Sequence, residues 1–151
     1  MTTQAALSGT TRSGDAHGAD AQRYVVPLGR LFFSLIFLMG SLGHFSPQTI
    51  AYAASAGVPL ASVAVPISGV LSLVGGLSVL LGYRAKVGAW LLVLFLVPVT
   101  VMMHNFWSVT DPQMHMMQQI SFMKNVGLLG GALLIAYFGA GPVSLDARRS
   151  R

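Results

Sequence analysis

The chain has 151 residues, of which 54% are hydrophobic and 9% charged, and its formal net charge is +5. Soluble domains carry about 25% charged residues, so this composition excludes an ordinary water-soluble fold. Its total lack of cysteine excludes a disulfide framework, a CxxC thiol relay and a thiolate-bound metal centre.

The first 23 residues are polar and poor in large apolar side chains, and they read as a disordered cytoplasmic tail. Four long apolar runs follow, at residues 25–43, 59–81, 87–103 and 120–139. Each approaches the ~20 residues that cross a bilayer core as a helix. The first is too long for the apolar core of a signal peptide, about 7–15 residues. An all-α fold is therefore expected: a four-transmembrane-helix bundle over residues 24–142, with residues 143–151 as a short basic cytoplasmic tail.

Between the first two runs, residues 48–56 are too short to span and suit a short helix at the outer interface, stopped at Gly57. In the second run, Ser68, Ser72 and Gly76 recur at steps of four, a flat stripe for close helix approach. The tight turn at residues 82–86 makes spans two and three antiparallel neighbours. Gly127 and Gly131 give span four a GxxxG pair.

Basic residues gather before the first span, at Arg84 and Lys86, and at Arg148, Arg149 and Arg151, whereas loops 44–58 and 104–119 hold no lysine or arginine. This is the positive-inside pattern. It places both termini in the cytoplasm of a multi-pass protein of the bacterial inner (plasma) membrane. The basic residues form no patch with interleaved aromatics, so nucleic acid is not an expected partner; the lipid bilayer is.

Polar groups at membrane depth are costly and usually face the bundle interior. On three spans, His44, His104 with Asn105, and Lys124 with Asn125 fall near one membrane face, and together they form the candidate cofactor site. Imidazole and ammonium groups can donate to carbonyls and move protons. A quinone head group fits, with Phe45, Phe106, Trp107 and Phe122 as walls. The competing reading is structural: such residues snorkel to the headgroups or tie helices together. Arg30 lies at the opposite end, where it snorkels, caps the carbonyls of a broken helix, or binds a phosphate or quinone from the inner side. Copper on Met102, Met103, His104, Met114, His115, Met116 and Met117 is disfavoured, because the residues form no repeated MxxM array. A haem between His44 and His104 is disfavoured too, since both would have to face one slot. The spans lack a carboxylate, which argues against ion-coupled transport.

The residues from Arg30 through Gly40-Ser41-Leu42-Gly43-His44-Phe45, Gly57-Val58-Pro59, Gly75-Gly76 through Ala85, His104-Asn105-Phe106-Trp107, Phe122-Met123-Lys124-Asn125 and Gly139 through Asp146 resemble the DoxX family of small bacterial membrane proteins. The resemblance covers residues 24–146. It implies a four-helix inner-membrane protein acting as a subunit or accessory of a quinone-linked oxidoreductase or redox-stress complex. A redox protein and further copies of the chain are the implied partners. It transfers no catalytic residue, and leaves open whether the chain is an enzyme. The alternative is a non-enzymatic scaffold whose small-residue stripes bind partner helices.

Overall fold

The computed structural model describes residues 22–149, so nearly all of the tail expected over residues 1–23 lies outside the described residues. Helix α1 runs Val25–Ser41 and tightens into a 3-10 turn, Leu42–Phe45. The short helix α2 follows at Pro47–Ser55, then the long helices α3 (Ala61–Leu81), α4 (Ala85–Met103) and α5 (Pro112–Phe138). A last short helix, α6, covers Leu145–Arg149. No strand occurs among the described residues, and four helical segments are long and apolar enough to cross a membrane. The all-α, four-span expectation holds.

The helix starts follow from local chemistry. Ser46 accepts a hydrogen bond from the Thr49 amide at 3.2 Å, with Pro47 in the first turn of α2. Asp111 accepts from the Met114 amide at 2.8 Å, with Pro112 in the first turn of α5. Both side chains satisfy an amide that has no partner within its own helix, and proline gives up no bond there. Helix α5 therefore begins at Pro112, eight residues before the start expected at residue 120, and the Met114–Met117 segment is helix rather than loop.

Each long helix packs on the next in chain order, α1 on α3, α3 on α4 and α4 on α5. The Ser72 hydroxyl donates to the Phe37 carbonyl of α1 at 3.1 Å, and Gly76 faces Phe37 and Leu38. The stripe on span two is thus consumed inside the chain by span one. Gly75 lies against Leu92 and the Gly88 carbonyl of α4. In span four Gly131 lies under the Phe33 ring of α1, while Gly127 faces open space. Phe37, Val79, Ala89, Leu92, Phe95, Leu96 and Ala132 form the main core. Large apolar side chains such as Phe32, Met39, Leu94 and Leu134 remain exposed, as lipid-facing positions require when every backbone bond is satisfied within the helices.

One end of the bundle gathers the chain's basic turn and its C-terminal segment. Helix α3 stops at Gly82 (φ +62°), where the Gly82 and Tyr83 amides bond back to Val79 and Ser78. The Asp146 carboxylate accepts from the Arg84 and Ala85 amides at 2.7 and 3.0 Å and so caps α4. Arg30 is buried at 5% exposure and donates to the Ala140 and Val143 carbonyls, both at 2.8 Å. It caps the broken end of α5 rather than snorkelling. On the exposed surface here, the Arg149 guanidinium, 4.6 Å from the Tyr83 ring centroid, holds that phenol below its usual range by hydrogen bonding and charge, with Arg84 adding to the effect.

Candidate functional site

At the opposite end, His44 in the 3-10 turn after α1 and His104, the residue that follows α4, line the same two cavities. Helix α2 lies across this end. Its Thr49, Tyr52 and Ala53, with Val58 and Pro59 behind, roof a cavity of about 500 Å³. Its floor and walls come from Ala64, Val65 and Ser68 of α3 and from Pro98, Val99, Met102 and Met103 of α4. The volume lies within the ~300–1,000 Å³ of small-molecule sites, and the lining is mostly apolar, as such sites are. A second cavity of about 130 Å³ reaches deeper between α1, α4 and α5 and is lined by Gly40, Ser72, Lys124 and Asn125 among others. His44, His104 and Val99 line both.

The histidines are held by different partners. His44 packs its ring on Phe95 with centroids 5.5 Å apart, and its Nδ1 lies 2.8 Å from the Ser68 hydroxyl. His104 Nδ1 lies 2.8 Å from Gln118 Oε1, and Gln118 Nε2 donates to the Tyr52 hydroxyl at 3.2 Å. This second chain ties α4, α5 and the roof helix together. Asn125 is 7% exposed, lines the deeper cavity, and its amide has no hydrogen-bond partner among the described residues. An amide without a protein partner that opens onto a cavity is available to a bound molecule. Lys124 lines the same crevice but is otherwise exposed.

Of the expected site residues, His44, His104, Lys124 and Asn125 meet around the deeper cavity, whereas Asn105 lines neither cavity. Asn105 begins the 3-10 turn Phe106–Ser108, and its carbonyl accepts from the Ser108 hydroxyl at 2.9 Å. That turn also redirects the expected aromatic walls. Phe106, Trp107 and Phe122 pack edge-on with one another, at centroid distances of 5.3 to 5.8 Å, and Phe106 packs likewise on His115. None of the three, nor Phe45, lines either cavity. Sequence reasoning missed Gln118 and the role of Ser68. Gln118 is seven residues before Asn125, two turns along one helix face, a relation visible once the Asp111-Pro112 start is recognised. No group of three or more histidine, aspartate or glutamate side chains suited to a metal occurs among the described residues.

A family model described as the SURF4 family matches residues 15–151. The chain belongs to the SURF4 family. It is 31% identical over 126 residues to "Inner membrane protein YphA" of Escherichia coli (strain K12), which covers 83% of this chain and 86% of that protein. It is also 28% identical over 80 residues to "ER-derived vesicles protein ERV29" of Saccharomyces cerevisiae, 53% of this chain but 26% of that one. No solved structure matches. SURF4 membership overturns the DoxX resemblance. Glycines at helix contacts, apolar runs and basic turns arise in any four-span bundle that packs closely in lipid, so those residues carried the architecture and not the lineage. The oxidoreductase assignment that rested on DoxX loses that basis, and neither relative's name speaks of a quinone. This SURF4-family chain is a multi-pass integral membrane protein with an inner-membrane relative.

Proposed function

We propose that this protein binds one single-tailed amphiphile from the membrane, its tail in the cavity under α2 and its head between His44 and His104. The observation that carries the reading is the junction of an apolar cavity with a small polar one at two histidines, the smaller lined by the Asn125 amide, which has no hydrogen-bond partner among the described residues. Apolar space with a few convergent polar groups is what a ligand site needs. The named inner-membrane relative supports the inner membrane as its location. A quinone-linked role is the redox version of this reading, with His104 and Lys124 at the head group.

Replacing Ala64, in the cavity wall, with phenylalanine tests the proposal. Protein extracted in mild detergent is expected to carry a near-stoichiometric lipophile, identified by mass spectrometry, that the Ala64→Phe protein lacks. The same extract reports any quinone. Equal trace amounts in both proteins would refute ligand binding. A scaffold role keeps one observation in its favour, the open face at Gly127 and Gly130, where no side chain approaches within 4 Å. Loss of co-purifying proteins in a Gly127→Leu variant with an intact ligand would favour it.

A further inference from the structure

The hydrogen-bond network around the cavity carries information about the head group that the apolar lining does not. The Ser68 hydroxyl lies 2.7 Å from the Val65 carbonyl and 2.8 Å from His44 Nδ1. A hydroxyl has one proton. Two oxygens 2.7 Å apart need a proton between them, so Ser68 donates to Val65, and its oxygen accepts from His44 Nδ1–H. A neutral imidazole with its proton on Nδ1 has a lone pair on Nε2. With Gln118 oriented as described, Oε1 toward the ring, His104 is set the same way: Nδ1–H donates to Gln118, and Nε2 is an acceptor. His44 also makes a hydrogen bond to the Val65 backbone, an acceptor shared with Ser68, and no side chain among the described residues bonds either Nε2.

The site therefore offers acceptors at its mouth and donors deeper down. The mouth presents two imidazole lone pairs. The crevice presents the Asn125 amide and the Lys124 ammonium, which lines it. A head group with only carbonyl or ether oxygens meets lone pairs at the histidines and gains nothing there. A hydroxyl donates its proton to an imidazole while its oxygen still accepts from below. We infer that the ligand is an amphiphile with a hydroxyl head, aliphatic or phenolic, whose O–H donates to Nε2 of His44 or His104. This rests on the amphiphile reading above and narrows it. Within the redox version it favours the quinol over the quinone, because the quinol has the two O–H donors that the quinone lacks.

The test uses a pair of probes that differ in one donor: dodecan-1-ol and its methyl ether. Both have the same tail and an oxygen acceptor. Equimolar competition is read by native mass spectrometry of the full-length protein in mild detergent, where each bound species has its own mass. The alcohol is expected to be retained about tenfold over the ether, the cost of one buried acceptor left unmet. His44→Phe keeps a ring on Phe95 and is expected to shrink that ratio while still binding both probes. Equal retention by the unmodified protein, or preference for the ether, overturns the hydroxyl assignment and leaves the amphiphile reading intact. Failure of both probes to bind, with no difference from Ala64→Phe, overturns the amphiphile reading itself.

Discussion

Arg30 shows how much a single buried side chain decides in a chain with few charges. Its guanidinium sits in a span yet donates two 2.8 Å bonds to carbonyls 110 and 113 residues away. These carbonyls belong to the turn where α5 ends, and in lipid they would otherwise find no donor. Arg30→Met is expected to lower stability by on the order of 2 kcal/mol, from unmet carbonyls, read as a lower thermal midpoint in detergent. Arg30→Lys, with a single compact head in place of a planar fork, should recover part of the loss. An unchanged midpoint in Arg30→Met would show that water replaces the bonds. Ser34, one turn along α1, makes the contrast: its buried hydroxyl has no partner among the described residues. Ser34→Ala is expected to be neutral or slightly stabilising, because no bond is lost. The sequence marks Arg30 as exceptional by its depth, but its choice between snorkelling and capping depends on a contact 110 residues away, which no local pattern encodes.

Helix packing was legible to the extent that small residues announce close approach, and illegible in what approaches. Ser68, Ser72 and Gly76 mark a contact face, yet only the fold shows that α1 occupies it. Rotation about the helix axis separates glycines that look equivalent in sequence. A Cβ on Gly75 would lie 2.9 Å from the Gly88 carbonyl oxygen, backbone that cannot move aside, whereas one on Gly127 meets nothing within 4 Å. Gly75→Ala is therefore expected to destabilise the α3–α4 pair by about 1–3 kcal/mol. Gly127→Ala is expected to gain up to about 1 kcal/mol from helix propensity. The two thermal midpoints should move in opposite directions; a common direction would contradict the packing described for α3 against α4. The start of α5 is legible in Asp111-Pro112, a standard N-terminal pair, but hydropathy rises only later, and a start read from hydropathy sets Lys124 and Asn125 too near the helix start. They lie twelve and thirteen residues after Pro112, more than three turns at 3.6 residues per turn. That places them under the histidines rather than beside them.

At the scale of the whole molecule, the four-span bundle followed from hydropathy alone, while the candidate site was legible only in its depth. Hydropathy and charge vary along the membrane normal, so they order residues by level; which side chains share a cavity depends on rotation and on the 3-10 turns that end α1 and follow α4. The termini of the described bundle share one end, because Arg30 of α1 and Asp146 after α5 both bind there. Which side of the membrane that end faces is a question of charge. Arg84, Lys86, Arg148 and Arg149 all lie at it, and the loops at the cavity end carry no lysine or arginine. Anchored basic residues resist translocation, so this end should be cytoplasmic and the cavity should open toward the other leaflet. The lack of cysteine makes the measurement direct, since an introduced thiol is the sole target for a maleimide. Ser108 and Arg148 are exposed at opposite ends. In intact cells, Ser108→Cys should react with a membrane-impermeant maleimide, and Arg148→Cys only after permeabilisation. The reverse pattern would place the histidine cavity on the cytoplasmic side, and its amphiphile would then be drawn from the inner leaflet.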